Sequence, residues 1–133
     1  MLKAGLLGEK TVRVDKRNTA AALGSGTLEV FATPALVALM EGTAMESVAR
    51  HLEPGQGTVG AGICVRHTAP SPVGMTVRCR SRLVAVEGRR LRFEIEACDD
   101  GGPIGTAEHE RYIIDNARFL QKAAARGEGK GDV

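Results

Sequence analysis

Residues 33–41 read Thr33-Pro34-Ala35-Leu36-Val37-Ala38-Leu39-Met40-Glu41, a pattern typical of the start of a long helix. A threonine hydroxyl can accept a hydrogen bond from the free N–H groups of a first helical turn, and proline fits the first helical position. We therefore predict that Thr33 is the N-cap of a helix from about Pro34 to Leu52. The helix is expected to end at Glu53-Pro54-Gly55, because proline cannot continue it.

Glu41 lies on the apolar side of this predicted helix. Steps of three and four residues from Glu41 lead to apolar side chains, namely Val37, Ala44, Met45 and Val48. By contrast, Glu46 stands at the favourable i,i+4 spacing from Arg50 and is predicted to lie on the surface. A carboxylate on an apolar stripe is unusual for a solvated helix, so Glu41 is a candidate functional residue.

The rest of the chain shows the alternation of apolar and polar residues that is typical of strands. After the helix, the alternation from Thr58 places Val59, Ala61, Ile63, Val65 and His67 on one face. Further strands are predicted at Thr11–Val14, Met75–Val86, Leu91–Ala97 and Ile104–Ile114, and a loop or lid at Asp15–Thr27. This order predicts an α+β fold, with an antiparallel sheet packed on one long helix. We expect a single domain over residues 1–122 and a disordered tail at 123–133.

Composition argues against several classes of protein. The 133 residues hold 18 Lys and Arg against 16 Asp and Glu, with no Trp and one Tyr, so nucleic-acid binding is not expected. No apolar run approaches the ~18 residues of a membrane span, and no signal peptide is evident, which predicts a cytoplasmic location. Three cysteines without CxxC spacing suggest small buried side chains and neither a disulfide nor a metal site.

Several short segments follow one another in an order that resembles a known family. They are Glu29-Val30-Phe31-Ala32-Thr33, Leu39-Met40-Glu41, Leu52-Glu53-Pro54-Gly55, Ile63-Cys64-Val65-Arg66-His67-Thr68-Ala69, Val86-Glu87-Gly88-Arg89-Arg90-Leu91 and His109-Glu110-Arg111. This set, spread over residues 29–120, resembles the hot-dog-fold thioesterases, most closely the fluoroacetyl-coenzyme A thioesterase family. The resemblance implies a hot-dog fold, in which the antiparallel sheet wraps around the long helix.

The resemblance also implies a function and a set of site residues. It implies hydrolysis of an acyl-coenzyme A, with Thr33, Glu41 and His67 as catalytic residues, Gly60 against the acyl group and Arg111 beside the pocket. No cofactor is implied beyond the coenzyme A of the substrate. The family carries aromatic residues in a lid before the catalytic threonine, whereas this chain has Thr19–Leu28 without an aromatic residue. Another short or medium acyl group is therefore as good a candidate as fluoroacetyl.

The residues themselves suit this chemistry. Thioester hydrolysis needs a nucleophile, a proton carrier and donors for the developing oxyanion. His67 titrates near neutral pH, Glu41 can attack or activate water, and N–H groups near Thr33 can stabilise the oxyanion. His51 and His109 are interpreted as structural. One long helix leaves apolar surface uncovered, so a homodimer is expected.

Other interpretations stay open at this level. A non-catalytic acyl-coenzyme A binding module on the same fold is the main alternative. A lyase acting on acyl thioesters would need a hydratase motif, which is not visible in this sequence. A purely structural role in dimerisation would leave Glu41 on the apolar face unexplained. Arg78, Arg80, Arg82, Arg89 and Arg90 either meet coenzyme A phosphates or line a solvated sheet face. Gly60 and Gly62 either allow a ligand to approach or form a bulge.

Overall fold

Five strands and three helices make up residues 2–128, the part of the chain that the computed structural model describes. In chain order they are β1 (Leu7–Arg13), α1 (Ala20–Leu23), α2 (Thr33–Ala49), β2 (Gln56–His67), β3 (Thr76–Glu87), β4 (Arg90–Asp99), β5 (Gly102–Asp115) and α3 (Asn116–Glu128). The strands form one antiparallel sheet in the order β1-β3-β4-β5-β2. Helix α2 packs against the sheet, as the α+β prediction required.

The core lies between α2 and one face of the sheet. Apolar residues alternate with polar ones along β3 and β4, so that every second side chain is buried. The buried side chains that α2 and these strands share include Leu36, Met40, Leu83, Leu91 and Phe93. Burial of this one face fixes which side of the sheet the helix covers.

The opposite face of the sheet is charged and solvated. Arg80 forms an ion pair with Glu9 at 3.2 Å, and Arg82 forms one with Glu94 at 2.7 Å. Arg90 pairs with Glu87 and with Glu110. Because carboxylates already neutralise these arginines, the structure favours the solvated-face interpretation over a site for coenzyme A phosphates.

A β-bulge changes the predicted face of β2. The register with β5 shifts between Gly60, which is opposite Arg111, and Gly62, which is opposite Glu110. Gly60 consequently faces Glu41 on the helix, while Ala61 is exposed. The prediction of one unbroken apolar face from Val59 to His67 is therefore wrong, because the extra residue of the bulge reverses the alternation.

The start of α2 differs from the prediction. Ala32 is the N-cap, no side chain in the described chain caps this end, and Thr33 is the first helical residue. The Thr33 hydroxyl lies 2.8 Å from His67 Nδ1 instead. Glu46 is exposed as expected, although its ion-pair partner is Lys10 of β1. Tertiary partners thus replace the local contacts predicted for both residues.

Two segments predicted to be irregular contain helices. The loop at 15–27 includes α1, whose N-cap Thr19 accepts a hydrogen bond from Ala22 N at 3.1 Å. Helix α3 continues to Glu128, which corrects the disordered tail expected from Ala123, and residues 129–133 lie outside the described part. The domain boundary at residue 122 stays a prediction.

The cysteines are placed differently from one another. Cys79 is buried, and burial raises the pKa of its thiol to about 11. Cys98 is half-buried, whereas Cys64 is exposed, so its predicted burial is wrong. No helix within residues 2–128 is long and apolar enough to cross a membrane, and no group of three or more potential metal ligands occurs in that range.

Candidate active site

Thr33 and His67 form one cluster at the start of α2. The first residue of the helix and the last residue of β2 meet there, with Thr33 Oγ1 2.8 Å from His67 Nδ1. The ring of Phe31 contacts His67 edge-on, with centroids 6.5 Å apart. An open cavity of about 350 Å³ adjoins the pair and is lined in part by Ala20 and Ser25 from the lid. This is the spacing at which a base can take the proton of a hydroxyl group.

The environment of His67 keeps the imidazole ready to accept a proton. Burial lowers the pKa of His67 below its usual value, and the backbone of Ala69 acts in the opposite direction. The Nε2 atom is buried and finds no hydrogen-bond partner within residues 2–128. A ring that is neutral at neutral pH, with one nitrogen on Thr33, can serve as a general base.

The N-terminus of α2 contributes to the electrostatics of this cluster. The helix begins at Thr33, and Ala32 offers no side-chain group to its first N–H donors. Helix starts carry partial positive charge and unpaired donors, which suit a developing oxyanion. The hydroxyl, the imidazole and the helix start therefore converge at one end of the sheet.

Glu41 belongs to a second cluster. Arg111 Nη1 donates to Glu41 Oε2 at 3.4 Å, and the Glu41 side chain is 40% exposed. Arg111 is 5% exposed. Its Nε donates to Thr58 Oγ1 at 2.8 Å and its Nη2 donates to the Thr58 carbonyl at 2.9 Å. The buried guanidinium is thus held against β2 and directs one donor toward the carboxylate.

Gly60 and His109 complete this second cluster. A Cβ atom at Gly60 would collide with Glu41 Oε2 and would lie 3.4 Å from both Arg111 Nη1 and His109 Cε1. The His109 ring lies between Gly62 O, 2.8 Å from Nδ1, and Arg111 Nη1, 3.2 Å from Nε2. From the sequence, only a structural role was predicted for His109. Its position on β5 two residues before Arg111, and so on the same face, was the available signal.

The two clusters are far apart within one chain. Thr33 and Glu41 are eight residues apart on α2, or about 12 Å along the helix. Gly60 and His67 are seven residues apart on β2, or about 23 Å along the strand. The structure therefore brings Thr33 to His67, and Glu41 to Gly60 and Arg111, but it does not bring Glu41 to the Thr33–His67 pair.

Known proteins resemble this chain in sequence over most of its length. The model of the fluoroacetyl-CoA-specific thioesterase family matches residues 14–117. The chain belongs to this family. The fluoroacetyl-CoA thioesterase of Streptantibioticus cattleyicolor is 46% identical over 101 residues, which are 73% of this chain and 73% of that protein.

Solved structures agree with this membership of the fluoroacetyl-CoA-specific thioesterase family. A variant of a fluoroacetyl-CoA thioesterase in complex with acetyl-CoA is 35% identical, with a TM-score of 0.88 over 94% of this chain and 98% of that one. A Thermus thermophilus protein of the thioesterase superfamily is 26% identical, with a TM-score of 0.87 over 98% of both chains. A hot-dog-like protein from Thermanaerovibrio acidaminovorans has a TM-score of 0.86, over 94% of this chain and 93% of that one, at 25% identity. The predicted family and hot-dog fold are confirmed.

Proposed function

We propose that this protein hydrolyses the coenzyme A thioester of a short or medium acyl group to the free acid and coenzyme A. Family membership gives the reaction class, so the proposal concerns the acyl group and the residues. The observation that carries it is the 2.8 Å contact between Thr33 Oγ1 and His67 Nδ1 at an open cavity. Hydroxyl, imidazole and helix start are the groups that acyl transfer requires.

In the proposed reaction, water adds to the thioester carbonyl carbon and the C–S bond breaks. Glu41 takes a proton from the attacking water, and the free donors at the start of α2 stabilise the oxyanion. His67, oriented by Thr33 and neutral at the start, takes that proton from the Glu41 carboxyl group and passes it to the departing thiolate sulfur. Direct attack by Glu41 on the carbonyl carbon is the competing route. It would form a mixed anhydride with the acyl group, and hydrolysis of that anhydride at the Glu41 carbonyl would leave the ¹⁸O of H₂¹⁸O in Glu41 and none in the acid after a single turnover.

A homodimer would unite the two clusters. Strand β2 is at an edge of the sheet, with Gly60, Ala61, Gly62 and Cys64 exposed along it. A long unpaired edge is a site for strand addition. An antiparallel β2–β2 pair centred between Ile63 and Cys64 would place His67 opposite Gly60 of the partner subunit. Glu41 of the partner subunit would then lie near the Thr33–His67 pair.

The lid suggests which acyl groups the enzyme accepts. Helix α1 holds no buried residue, and Leu23 and Leu28 are 47% and 67% exposed. A lid of small residues gives few specific contacts to a fluorine atom. We therefore propose that fluoroacetyl-CoA and acetyl-CoA have similar values of kcat/KM, within about ten-fold, a ratio that corresponds to about 1.4 kcal/mol of differential transition-state binding. A much larger ratio in favour of fluorine would contradict this.

The test is a panel of acyl-CoA substrates followed by thiol release. Glu41→Gln and His67→Ala are each expected to lower kcat by about 100-fold or more on the best substrate, the scale of lost proton transfer. Thr33→Ala should lower kcat less and leave the melting temperature unchanged, because Thr33 does not cap the helix. Thr33→Ser, which keeps the hydroxyl, is the matched control. Binding of acyl-CoA without any thiol release would point to the non-catalytic binding module.

A further inference from the structure

We propose that His109 is a positioning residue that holds the β2 bulge and Arg111 together and thereby orients Glu41. This inference rests on the proposed function, because it concerns the carboxylate of the same site. His109 is 4% exposed and is stacked at a tilt on Phe93, with ring centroids 6.0 Å apart. A side chain this enclosed has one orientation, so both of its nitrogen atoms have defined partners.

The partners of His109 fix its tautomer. The carbonyl oxygen of Gly62 can only accept, so Nδ1, at 2.8 Å, carries a proton and donates it. The guanidinium of Arg111 can only donate, so Nε2, at 3.2 Å from Nη1, is the unprotonated acceptor. A neutral ring fits both neighbours. Burial lowers the pKa of His109 and the charge on Arg111 lowers it further, which agrees with this assignment.

The contact between His109 Nε2 and Arg111 Nη1 fixes the position of the guanidinium. Its Nε and Nη2 are held by Thr58, and Nη1 is left with two neighbours, His109 Nε2 and Glu41 Oε2. The Nη1 contact with the half-exposed Glu41, at 3.4 Å, is long for a hydrogen bond. The angle at which Nη1 faces the carboxylate therefore depends on the imidazole behind it.

The contact between His109 Nδ1 and the Gly62 carbonyl oxygen fixes the bulge. His109 lies opposite Ile63 in the register and bonds to the carbonyl of Gly62, where the register shifts. The shift is what turns Gly60 toward Glu41. One imidazole thus supports both surfaces that the Glu41 carboxylate touches, the glycine of the bulge and the guanidinium.

Three substitutions separate these contacts. His109→Gln can place an amide oxygen near the position of Nε2, and His109→Asn can place an amide N–H near Nδ1, while His109→Ala keeps neither. We expect His109→Ala to lower kcat by about 10-fold to 100-fold, the cost of misplacing a reacting group by about 1 Å, with a smaller change in KM. His109→Gln should recover most of kcat, and His109→Asn should recover less.

Val77→Ala is the control for stability. Val77 is buried in β3 outside both clusters, so the substitution removes packing without touching the site. If Val77→Ala lowers the melting temperature as much as His109→Ala and lowers kcat as much, His109 is merely structural and the inference is wrong. Unchanged kcat in His109→Ala would also overturn it.

Crystal structures of the variants test the inference independently of activity. In His109→Ala, Arg111 Nη1 and the Glu41 carboxylate should move apart, whereas in His109→Gln they should stay in place. An unmoved Arg111 and Glu41 in His109→Ala would refute the positioning role even if the wild-type protein released no thiol from any acyl-CoA. Failure of the proposed function would appear separately, as an inactive wild-type protein.

Discussion

Gly60 leaves no space for a side chain beside the Glu41 carboxylate. A methyl group there would collide with Glu41 Oε2 and crowd Arg111 and His109, each at 3.4 Å. The carboxylate is half-exposed and can swing away, so the protein should still fold. Gly60→Ala is therefore expected to lower kcat by about 10-fold or more through displacement of Glu41, with little change in the melting temperature.

Gly62 offers a matched control for this substitution. It lies on the other side of the same bulge, and a Cβ atom there would meet no atom within 4 Å among the described residues. Thiol-release kinetics of Gly60→Ala and Gly62→Ala, compared for variants whose solution mass equals that of the wild-type protein, should consequently differ. Equal activity of the two variants would mean that the position of Glu41 does not matter for turnover.

The pH dependence of activity should report on His67. A general base must be unprotonated, and burial lowers the pKa of His67 below its usual 6.5. We therefore expect kcat/KM to rise with pH and to reach half of its maximum below pH 6.5. The profile is measured on the best substrate, and His67→Ala should lose this inflection. A half-maximum above pH 7 would contradict the assigned environment.

At the scale of single residues, the roles of the candidate residues stay a prediction, and some of their contacts differ from those that the sequence predicted. The family resemblance selected Thr33, Glu41, Gly60, His67 and Arg111, and the structure places all five in two clusters. Local rules nevertheless assigned the Thr33 hydroxyl to its own helix, whereas it contacts a histidine 34 residues away. His109 was missed as a site residue because its partners depend on strand register, which local periodicity does not specify.

Helix α2 and the strands were predictable as elements because their apolar periods are clear. The ends of α2 differ by a few residues from the prediction. The bulge in β2 was one of two alternatives for Gly60 and Gly62, because two glycines alone do not distinguish a bulge from the close approach of a ligand. Helix α3 was also missed. It packs little against the sheet, and none of its residues is buried, so no buried stripe supports it.

The contact between α2 and β1 gives a prediction about stability. Gly42 in mid-helix would accept a Cβ atom at an ordinary distance, 3.9 Å from the Lys10 side chain. Gly42→Ala should therefore raise the free energy of unfolding by about 1 kcal/mol, the difference in helix propensity. Gly8 of β1 is the opposite case, because its Cβ would lie 2.6 Å from Ser47 Cβ and 2.7 Å from Ser81 Oγ. Gly8→Ala should destabilise by roughly 1–3 kcal/mol.

Denaturant unfolding of the two variants checks this pair of predictions. The space above Gly42 is bordered by the Lys10 side chain, whose Cδ and Nζ atoms would both lie 3.9 Å from the added Cβ atom. If Gly42→Ala lowered the free energy of unfolding, a group other than Lys10 would occupy the space above Gly42. This face of α2 would then belong to an interface.

For the whole molecule, the question is how two distant clusters act on one substrate. Each protomer carries Thr33 with His67 at one end of β2 and Glu41 with Arg111 near the other. Antiparallel pairing of β2 edges would supply each site with the missing half from the partner subunit. The solution mass is then expected to be twice the 14.0 kDa of one chain.

Mixing two inactive variants distinguishes a shared site from a site within one protomer. In a dimer of His67→Ala with Glu41→Gln, a shared arrangement leaves one site with intact His67 and the partner subunit's intact Glu41. Random exchange makes about half of the dimers mixed, each with one of two sites, so about a quarter of wild-type activity should return. A site built within one protomer would carry one defect in every copy, and the mixture would stay inactive. The control is to mix each variant with itself under the same exchange conditions. The shared site would be excluded if activity failed to return in a mixture that is shown by mass to contain the mixed dimer.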